Sequence, residues 1–432
     1  MLLALLLPAA PTSLTGTTIR INSAALSYVS DVGKAPLQQA LKVMVPPFLD
    51  QSGDVHLPIR IQILDVHVPH LDLKFIAGFG IHLMATANFT IKVFCIPEAL
   101  ELMMPVALTA DARVAQGPIR TPVVSISSCS SNFSPASVLG DNNSTSPELL
   151  ILVQKHIRAI LSNKLCLYIS NLVQGLNVHL GTLIGLSPVG PESQIRYSMV
   201  GEPIITGEYI ALDVNADLFL LGQPITLTLD ATPFVLPWPV GTRGTMATMG
   251  LSQQLFDCIL LLLQKAGALN LDVTGELVTR QFPKPMPIVL KVHLGATPVV
   301  TFHTNNATLR LQPFVEVLAA SSNSAFQSLF SLEVEVNLSL QLSVSKVKLR
   351  GTTSVLGDIR LAVAASNVGF IDVEQVHALV GTLFKKPLLA HLNALLGMGI
   401  ALPSVVNLNY INPEVFVYEG YVVVSSGLFY QR

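Results

Sequence analysis

The chain has 432 residues, of which 50% are hydrophobic and only 12% are charged, and its mean hydropathy is +0.57. Its length favours two domains. Its formal net charge of −2 provides no overall positive potential that would attract nucleic acid or anionic membranes. After the first dozen residues no apolar run approaches the ~20 residues of a membrane-spanning helix. The apolar side chains therefore fill cores or line an interior that holds an apolar ligand.

Residues 1–13 are typical of a secretory signal peptide. Leu2–Ala10 is a short apolar segment followed by Pro11, which predicts cleavage between Ala10 and Leu14. A buried N-terminal strand is the alternative. Secretion to the extracellular space agrees with six N-x-[ST] sequons, which we expect to carry glycans: Asn88, Asn132, Asn142, Asn143, Asn306 and Asn337.

The first half alternates between helical and strand patterns. A helical rhythm runs from Leu26 to about Phe48, with Pro36 as a bend. Period-two alternation predicts long antiparallel strands at 59–75, 81–94, 101–114 and 121–128, and shorter ones at 195–200 and 209–219. Between the two sets, Ser146–Leu176 carries apolar residues three and four apart, which predicts a long amphipathic helix with Pro147 in its first turn.

The second half repeats this order after a linker predicted at 231–247, which is rich in Pro and Gly. A buried helix is expected at 251–266, strands at 288–303, 307–320, 331–351, 358–366 and 415–426, and a second long helix from Asp372 to about Gly397. Asp372 and Gln375 match a capping box, and Pro387 predicts a kink. We therefore predict a duplicated architecture, with domains at 14–230 and 248–432.

Four cysteines are present, and an oxidising compartment favours pairing. Cys129 ends a predicted strand and Cys166 lies on the first long helix, so a bridge between them would pin the helix to the sheet. Cys95 and Cys258 have no evident partner, and the count alone allows other pairings.

Motifs of enzymes are missing from the sequence: there is no G-x-S-x-G, H-E-x-x-H, G-x-x-x-x-G-K-[ST] or C-x-x-C. His67 and His70 are three residues apart on an alternating strand, which predicts that they face opposite sides and do not share a metal. We therefore predict no catalytic residue, no cofactor and no metal site.

Leu26–Leu41 has the pattern L-x-Y-x-S-x-x-G-x-x-x-L-Q-x-x-L. This pattern resembles the opening helix of the bactericidal/permeability-increasing (BPI/LBP/PLUNC) family, and in particular of its long PLUNC type. Further matches are spread over nearly the whole chain: Asn163-Lys164 before Cys166, Ile195-x-Tyr197, Gly250-Leu251-Ser252 with Phe256, Ala266-Gly267, and Ser366-Asn367-Val368-Gly369.

The resemblance implies an α+β fold of two BPI-like domains, shaped as a boomerang. Each domain would be a twisted antiparallel β-barrel wrapped on a long α-helix, and a central sheet would join the two. The resemblance also implies one apolar lipid pocket per domain and the disulfide Cys129–Cys166.

Two departures from the family limit what the resemblance implies. The turn around Lys92 also contains Glu98 and Glu101, and residues 14–200 hold twelve Lys/Arg against eleven Asp/Glu, a net of +1. Because phosphate binding needs clustered cations, we expect weak or no lipopolysaccharide binding.

The passage near Val278 is shorter than the family leads one to expect, which suggests a missing segment of the second domain.

We therefore expect a secreted lipid-binding protein of the innate-defence type, holding phospholipid or another amphipathic lipid, with peripheral membrane contact at most. The alternative is a mucosal interaction or structural protein whose pockets are collapsed. The residues expected to line the first pocket are Leu26, Val29, Leu37, Leu41, Val153, Ile157 and Ile160. Those expected to line the second pocket are Phe256, Leu260, Leu263, Val376, Leu379 and Leu383.

Overall fold

The computed structural model describes residues 16–42, 44–49, 58–94, 99–140, 147–225, 234–237, 244–277, 284–320, 326–379, 385–405 and 407–431. The first half contains, in chain order, β1 (Thr17–Asn22), α1 (Ser23–Leu41), β2 (Phe48–Leu49), β3 (Pro58–Ile76), β4 (Gly80–Phe94), β5 (Ala99–Gln116), β6 (Pro122–Phe133), β7 (Ser137–Leu139), α2 (Pro147–Leu180), β8 (Ser187–Gly190), β9 (Ser193–Met199), β10 (Ile204–Ile205), β11 (Tyr209–Leu220) and β12 (Gln223–Ile225).

The second half repeats the order of helix, strands, helix and strands. It contains β13 (Ala247–Ser252), α3 (Gln253–Lys265), β14 (Leu271–Leu277), β15 (Met286–Leu294), β16 (Val299–His303), β17 (Asn306–Leu311), β18 (Pro313–Ala320), β19 (Phe326–Ser345), β20 (Lys348–Val355), β21 (Arg360–Ser366), α4 (Val373–Leu379), α5 (Lys385–Met398), β22 (Ile400–Ala401), β23 (Leu408–Tyr418) and β24 (Tyr421–Tyr430).

A central antiparallel sheet joins the two halves. Its strand order is β23-β24-β13-β1-β11-β9-β8, so β1 from the first half pairs with β13 from the second. Ile19 lies opposite Leu212 of β11 on one side and Met249 of β13 on the other. The halves are therefore connected by an unbroken ladder of backbone hydrogen bonds, which agrees with the predicted α+β class and central sheet.

The first half adds a sheet ordered β2-β3-β4-β5-β6, against which α1 and the beginning of α2 pack. Val153, Ile157, Leu161 and Leu165 recur every four residues on α2, and each is no more than 1% exposed. Their stripe enters the same core as Phe89 of β4. The periodicity of the sequence therefore predicted this helix and its buried face, although α2 runs on to Leu180.

Two contacts anchor α2 to β6. The disulfide Cys129–Cys166 is present, as predicted, with its two Cα atoms 5.8 Å apart. About three turns later, Asn177 accepts a hydrogen bond from the Val124 backbone N–H and donates one to its carbonyl, each 2.8 Å long. Helix α2 is therefore tied to the sheet at its middle and near its end.

The second half repeats the second of these anchors. Asn393 of α5 accepts a hydrogen bond from the Thr353 backbone N–H of β20 at 2.7 Å and donates one to its carbonyl at 3.2 Å. Thr353 also donates its hydroxyl to the same Asn393 oxygen at 2.9 Å. The predicted duplication thus extends to a matching helix-to-strand contact.

One helix boundary differs from the prediction, and the second long helix is described only in part. Helix α1 ends at Leu41 rather than near Phe48. The second long helix is described as two segments, α4 and α5, while residues 380–384 lie outside the described ranges. Pro387 is the third described residue of α5, and since the residues just before Lys385 are outside the described ranges, the kink predicted at Pro387 stays a prediction. The Asp372 carboxylate caps α4 by accepting from the Glu374 N–H at 3.1 Å.

The prediction that His67 and His70 face opposite sides of their strand is wrong. His67 pairs with Asn88 and His70 with Thr86, so three residues of β3 span two of β4. This β-bulge inserts one extra residue and returns both side chains to the same exposed face. Within the described ranges, no group of three His, Cys, Asp or Glu side chains could hold a metal ion.

Several sequence predictions lie outside the described residues: the signal peptide, Cys95, Asn142, Asn143, the missing segment near Val278 and most of the 231–247 linker. Of the helices that are described, none is long and apolar enough to span a bilayer.

Candidate functional site

An apolar cavity of about 470 Å³ lies where α1, the end of α2 and the central sheet meet. Its size falls within the range of small-molecule pockets. Strands β1, β11 and β13 form the floor through Ile19, Ile21, Leu212 and Met249. Because side chains alternate along β1, Arg20 faces away from the cavity, and its guanidinium donates to the Leu236 and Pro237 carbonyls.

The mouth of the cavity lies between α1, α2 and the end of β24. Val29 and Leu176 are each 46% exposed, and Tyr430 is 37% exposed. The His179 ring meets the Tyr430 ring edge-on, with centroids 6.5 Å apart. An acyl chain entering here would pass directly from an apolar rim to a buried apolar floor.

The polar groups of the lining are few. The Tyr28 hydroxyl accepts a hydrogen bond from the Tyr430 backbone N–H at 3.0 Å. The Tyr410 hydroxyl donates to the Pro403 carbonyl, and burial raises the pKa of this phenol, so it stays protonated. His179 and the Ser404 hydroxyl also lie on the lining. The cavity can therefore offer hydrogen bonds to an ester or hydroxyl oxygen at a few points only.

The corresponding region of the second half is almost filled. Between α3, α5 and strands β16, β17, β19 and β20, the described side chains leave a void of about 40 Å³. The Phe256 and Phe302 rings meet edge-to-face there, with centroids 4.9 Å apart. A void of this size accommodates a water molecule or two but not an acyl chain.

The residues predicted for the first pocket divide into two groups. Leu26 and Val29 line the cavity. Leu37 and Leu41 of α1, with Val153 and Ile157 of α2, are instead in the filled core against β3–β5, and Ile160 packs at its edge. The second group does not line this cavity, because this section of the two helices is covered by the curled sheet. Their contact with lipid stays a prediction. Whether Leu26 and Val29 contact lipid remains a prediction.

Four of the six residues predicted for the second pocket have described side chains, and three of these border the small void. Phe256, Leu260 and Leu263 of α3 border the small void. Val376 is buried elsewhere in the same core and does not reach the void. The Leu379 side chain and the whole of Leu383 are outside the described residues.

Sequence reasoning missed the parts of the cavity that come from the sheet and from the end of the chain. These include Ile19, Leu212, Met249, Leu428 and Tyr430. Alternation along β1 and β11 showed that one face is buried. It did not show that β13 would complete the floor, since that depends on the pairing of strands more than 200 residues apart.

The structure also shows the exposure of four of the six sequons and the surroundings of Lys92. Asn132 and Asn306 are exposed, whereas Asn88 and Asn337 are half-buried within long strands. The Lys92 ammonium forms an ion pair with Glu101 at 3.3 Å. The charge of this lysine is therefore already balanced by a neighbour.

Comparison with known families gives two matches that together cover most of the chain. The N-terminal domain model of the LBP / BPI / CETP family matches residues 25–176, and the C-terminal domain model of the same family matches residues 189–430.

Individual relatives agree with these matches. The chain is 70% identical over 449 aligned residues to human BPI fold-containing family B member 2, covering 100% of this chain and 98% of that protein. Identity to the mouse protein of the same name is 62%, covering 97% and 95%. The crystal structure of a lipopolysaccharide binding protein superimposes with a TM-score of 0.62 at 19% identity, covering 97% of this chain and 100% of that one, which shows a shared fold.

Proposed function

The chain belongs to the LBP/BPI/CETP family, and from that premise we propose that it is a secreted carrier holding one amphipathic lipid in the cavity between α1, α2 and the central sheet. Members of this family are lipid-binding, non-enzymatic proteins. The family therefore gives the class of function, and the cavity suggests where this chain performs it.

The observation that carries the proposal is a preformed apolar cavity of about 470 Å³ with an open apolar mouth. Removing apolar surface of an acyl chain from water stabilises the complex by about 25 cal/mol per Å². Because the space is already formed, little of this gain is spent on rearranging the protein. The chains of a phospholipid or similar amphiphile would lie on the sheet floor, with the headgroup near Val29 and Leu176.

The proposed stoichiometry is one lipid per chain. The second half keeps the family fold, but Leu260 and Leu263 of α3 pack against Leu395 and Leu396 of α5 around a void of only about 40 Å³. Opening that region would separate well-packed side chains, at the loss of their dispersion contacts. This half would therefore act as a structural partner that completes the floor of the first cavity.

Weak or no lipopolysaccharide binding is part of the same proposal. The Lys92 ammonium is paired with Glu101, and residues 14–200 carry a net charge of only +1 from twelve basic and eleven acidic side chains. Lipid phosphates are held by clustered, unpaired cations. A role in innate defence would then depend on carrying lipid rather than on binding endotoxin.

Native mass spectrometry of the protein secreted from animal cells, followed by organic extraction, tests the proposal. The expected result is one lipid-sized adduct per chain that extraction recovers. A bare glycoprotein mass, unchanged after incubation with vesicles, would refute the carrier function and leave the mucosal interaction role in its place.

Three variants test the location of the lipid. Ala25 is 4% exposed and lines the cavity, so Ala25→Phe should fill part of the void and lower the lipid occupancy with little loss of stability. Val178→Phe adds an aromatic ring at an exposed position outside the lining and should leave the occupancy unchanged. Ala87→Phe, in a filled core where Ala87 is 0% exposed, should destabilise the fold by about 1–3 kcal/mol through overpacking.

A further inference from the structure

The face of the central sheet opposite the cavity is crossed by residues 234–237, which we call the strap. They lie between β12 and β13 and belong to no strand. The Arg20 guanidinium of β1 donates hydrogen bonds to the carbonyl oxygens of Leu236 at 3.2 Å and Pro237 at 3.0 Å. The same guanidinium lies over the Tyr209 ring, 4.5 Å from its centroid. Because Arg20 is only 7% exposed, its buried charge relies on these partners.

The second half provides a recess for the side chains of the strap. At Gly250 of β13, a Cβ atom would stand 2.3 Å from the Phe234 ring and 2.6 Å from the Leu236 side chain. The Phe234 ring stacks on Tyr421 of β24 with centroids 4.9 Å apart, and Leu236 packs with the buried Val423. The strap therefore comes this close to the sheet only because residue 250 is glycine.

The strap spans the seam between the two halves of the chain. Arg20 belongs to the first half and Gly250 to the second, on strands β1 and β13 that pair with each other. On the opposite face of these two strands, Ile19, Ile21 and Met249 form the floor of the cavity. The strap thus supports from outside the two strands that carry this floor.

The strap and the seam are held by contacts of different kinds. Strands β1 and β13 share a ladder of backbone hydrogen bonds, whereas the described residues of the strap bond to the sheet through Arg20 and pack with two side chains. A segment with few contacts opens at a lower free energy than a strand ladder. The strap is therefore able to leave while the sheet persists.

We propose that the strap is a releasable clamp on the seam. When it is docked, it keeps β1 and β13 rigid beneath the cavity. When it is released, these strands move enough to let lipid enter and leave faster, since opening of such segments commonly limits exchange of a bound molecule. The effect on lipid rests on the proposed function, whereas the docking and release of the strap do not.

Two variants displace the strap from opposite sides. Gly250→Ala adds a methyl group that collides with the strap, and β13 tolerates alanine because the φ of Gly250 is not positive. Leu236→Ala removes the packed side chain from the strap itself and leaves β13 unaltered. The matched control is Gly427→Ala on β24, where the added Cβ meets nothing closer than the Ile411 carbonyl oxygen at 3.6 Å. Calorimetry verifies that each full-length variant is folded at the assay temperature, and Leu236→Ala decides if Gly250→Ala is not.

Release of the strap is measured by chymotrypsin cleavage after Phe234, located by mass spectrometry. Both displacing variants should be cut about tenfold faster than the wild type, which corresponds to a change of about 1.4 kcal/mol in the docking equilibrium. Lipid exchange is measured on protein loaded with fluorescent phosphatidylcholine and mixed with excess unlabelled phosphatidylcholine vesicles. Both variants should release the fluorescent lipid several-fold faster, and Gly427→Ala should match the wild type in both assays.

The outcomes separate this clamp from the carrier function. Unchanged cleavage after Phe234 in both variants would overturn the clamp, because the strap would then stay docked. Faster cleavage with unchanged lipid release, or a release that Gly427→Ala accelerates equally, would also overturn it and leave the carrier function intact. A wild-type protein that takes up no phosphatidylcholine would overturn the carrier function and the effect on lipid exchange, while the cleavage assay still tests the docking of the strap.

Discussion

Removing the disulfide Cys129–Cys166 is expected to destabilise the protein by about 4 kcal/mol. The bridge closes a loop with a sequence separation of 37 residues. In the chain-entropy model, a loop of that length lowers the entropy of the unfolded chain by about 13 cal/mol/K, which is about 4 kcal/mol at 25 °C. The double substitution Cys129→Ala/Cys166→Ala removes the bridge without leaving a reactive thiol.

The size of the protein determines how this loss appears in a thermal melt. An unfolding entropy of about 2.1 cal/mol/K per residue gives about 0.9 kcal/mol/K for 432 residues. If the continuous central sheet makes the two halves unfold together, a loss of about 4 kcal/mol lowers the Tm by only about 4 °C. Differential scanning calorimetry resolves a shift of this size.

Hydrogen exchange gives the accompanying local measurement. Cys166 lies at the point where α2 passes from the filled core to the cavity, so exchange should increase most in residues 166–180. The control is Cys258→Ala, which replaces a half-buried free thiol and should lower the Tm by clearly less than the double variant. A double variant whose Tm falls by less than about 1 °C, or no more than that of Cys258→Ala, would contradict this reasoning.

Three further predictions follow from single side chains. Asn177→Ala and Asn393→Ala each leave a strand N–H and carbonyl without their side-chain partner, so each should lower the free energy of unfolding by about 1–3 kcal/mol in urea titrations. In protein secreted from animal cells, Asn132→Gln and Asn306→Gln should each remove the mass of one glycan, since both sequons are exposed. Burial raises the pKa of the Asp257 carboxyl group above its ordinary value of 3.8. The folded state therefore binds the carboxyl proton more tightly than the unfolded state does. The free energy of unfolding decreases as the pH rises from 3.8 through the higher pKa of the folded state. Asp257→Asn should therefore raise the Tm at neutral pH and have little effect below pH 3.8, as measured by calorimetry across pH.

The long elements could be predicted from the sequence because their periodicity is local. The stripe of α2 and the alternation of β3 to β6 each extend over twelve or more residues, so a single period dominates. Hairpins were merged where the turn is short, as at residues 346–347 between β19 and β20, which were predicted as one strand. The bulge between His67 and His70 could not be predicted from the sequence of β3, because it depends on the register of β3 with β4.

The position of the cavity was harder to predict for a related reason. Ile157 and Leu176 both belong to the apolar stripe predicted for α2, and their side chains are similar in apolar character. Ile157 is 1% exposed in a filled core, whereas Leu176 is 46% exposed at the cavity mouth. Hydrophobicity identifies a face that avoids water, but the partner of that face is determined by tertiary packing. For the same reason, the apolar pattern of α3 did not show that its described side chains would pack around only a small void.

The pairing of β1 with β13 has a consequence for fragments of this protein. A piece ending after β12 would lose Met249 and Tyr430 from the cavity and would expose β1 as an unpaired sheet edge, which promotes aggregation. A single peptide-bond cut between β12 and β13 would be different, because the backbone ladder and the shared floor would still hold the two pieces together. The cavity therefore needs both halves of the chain, whether they are joined by a peptide bond or held together only by the sheet.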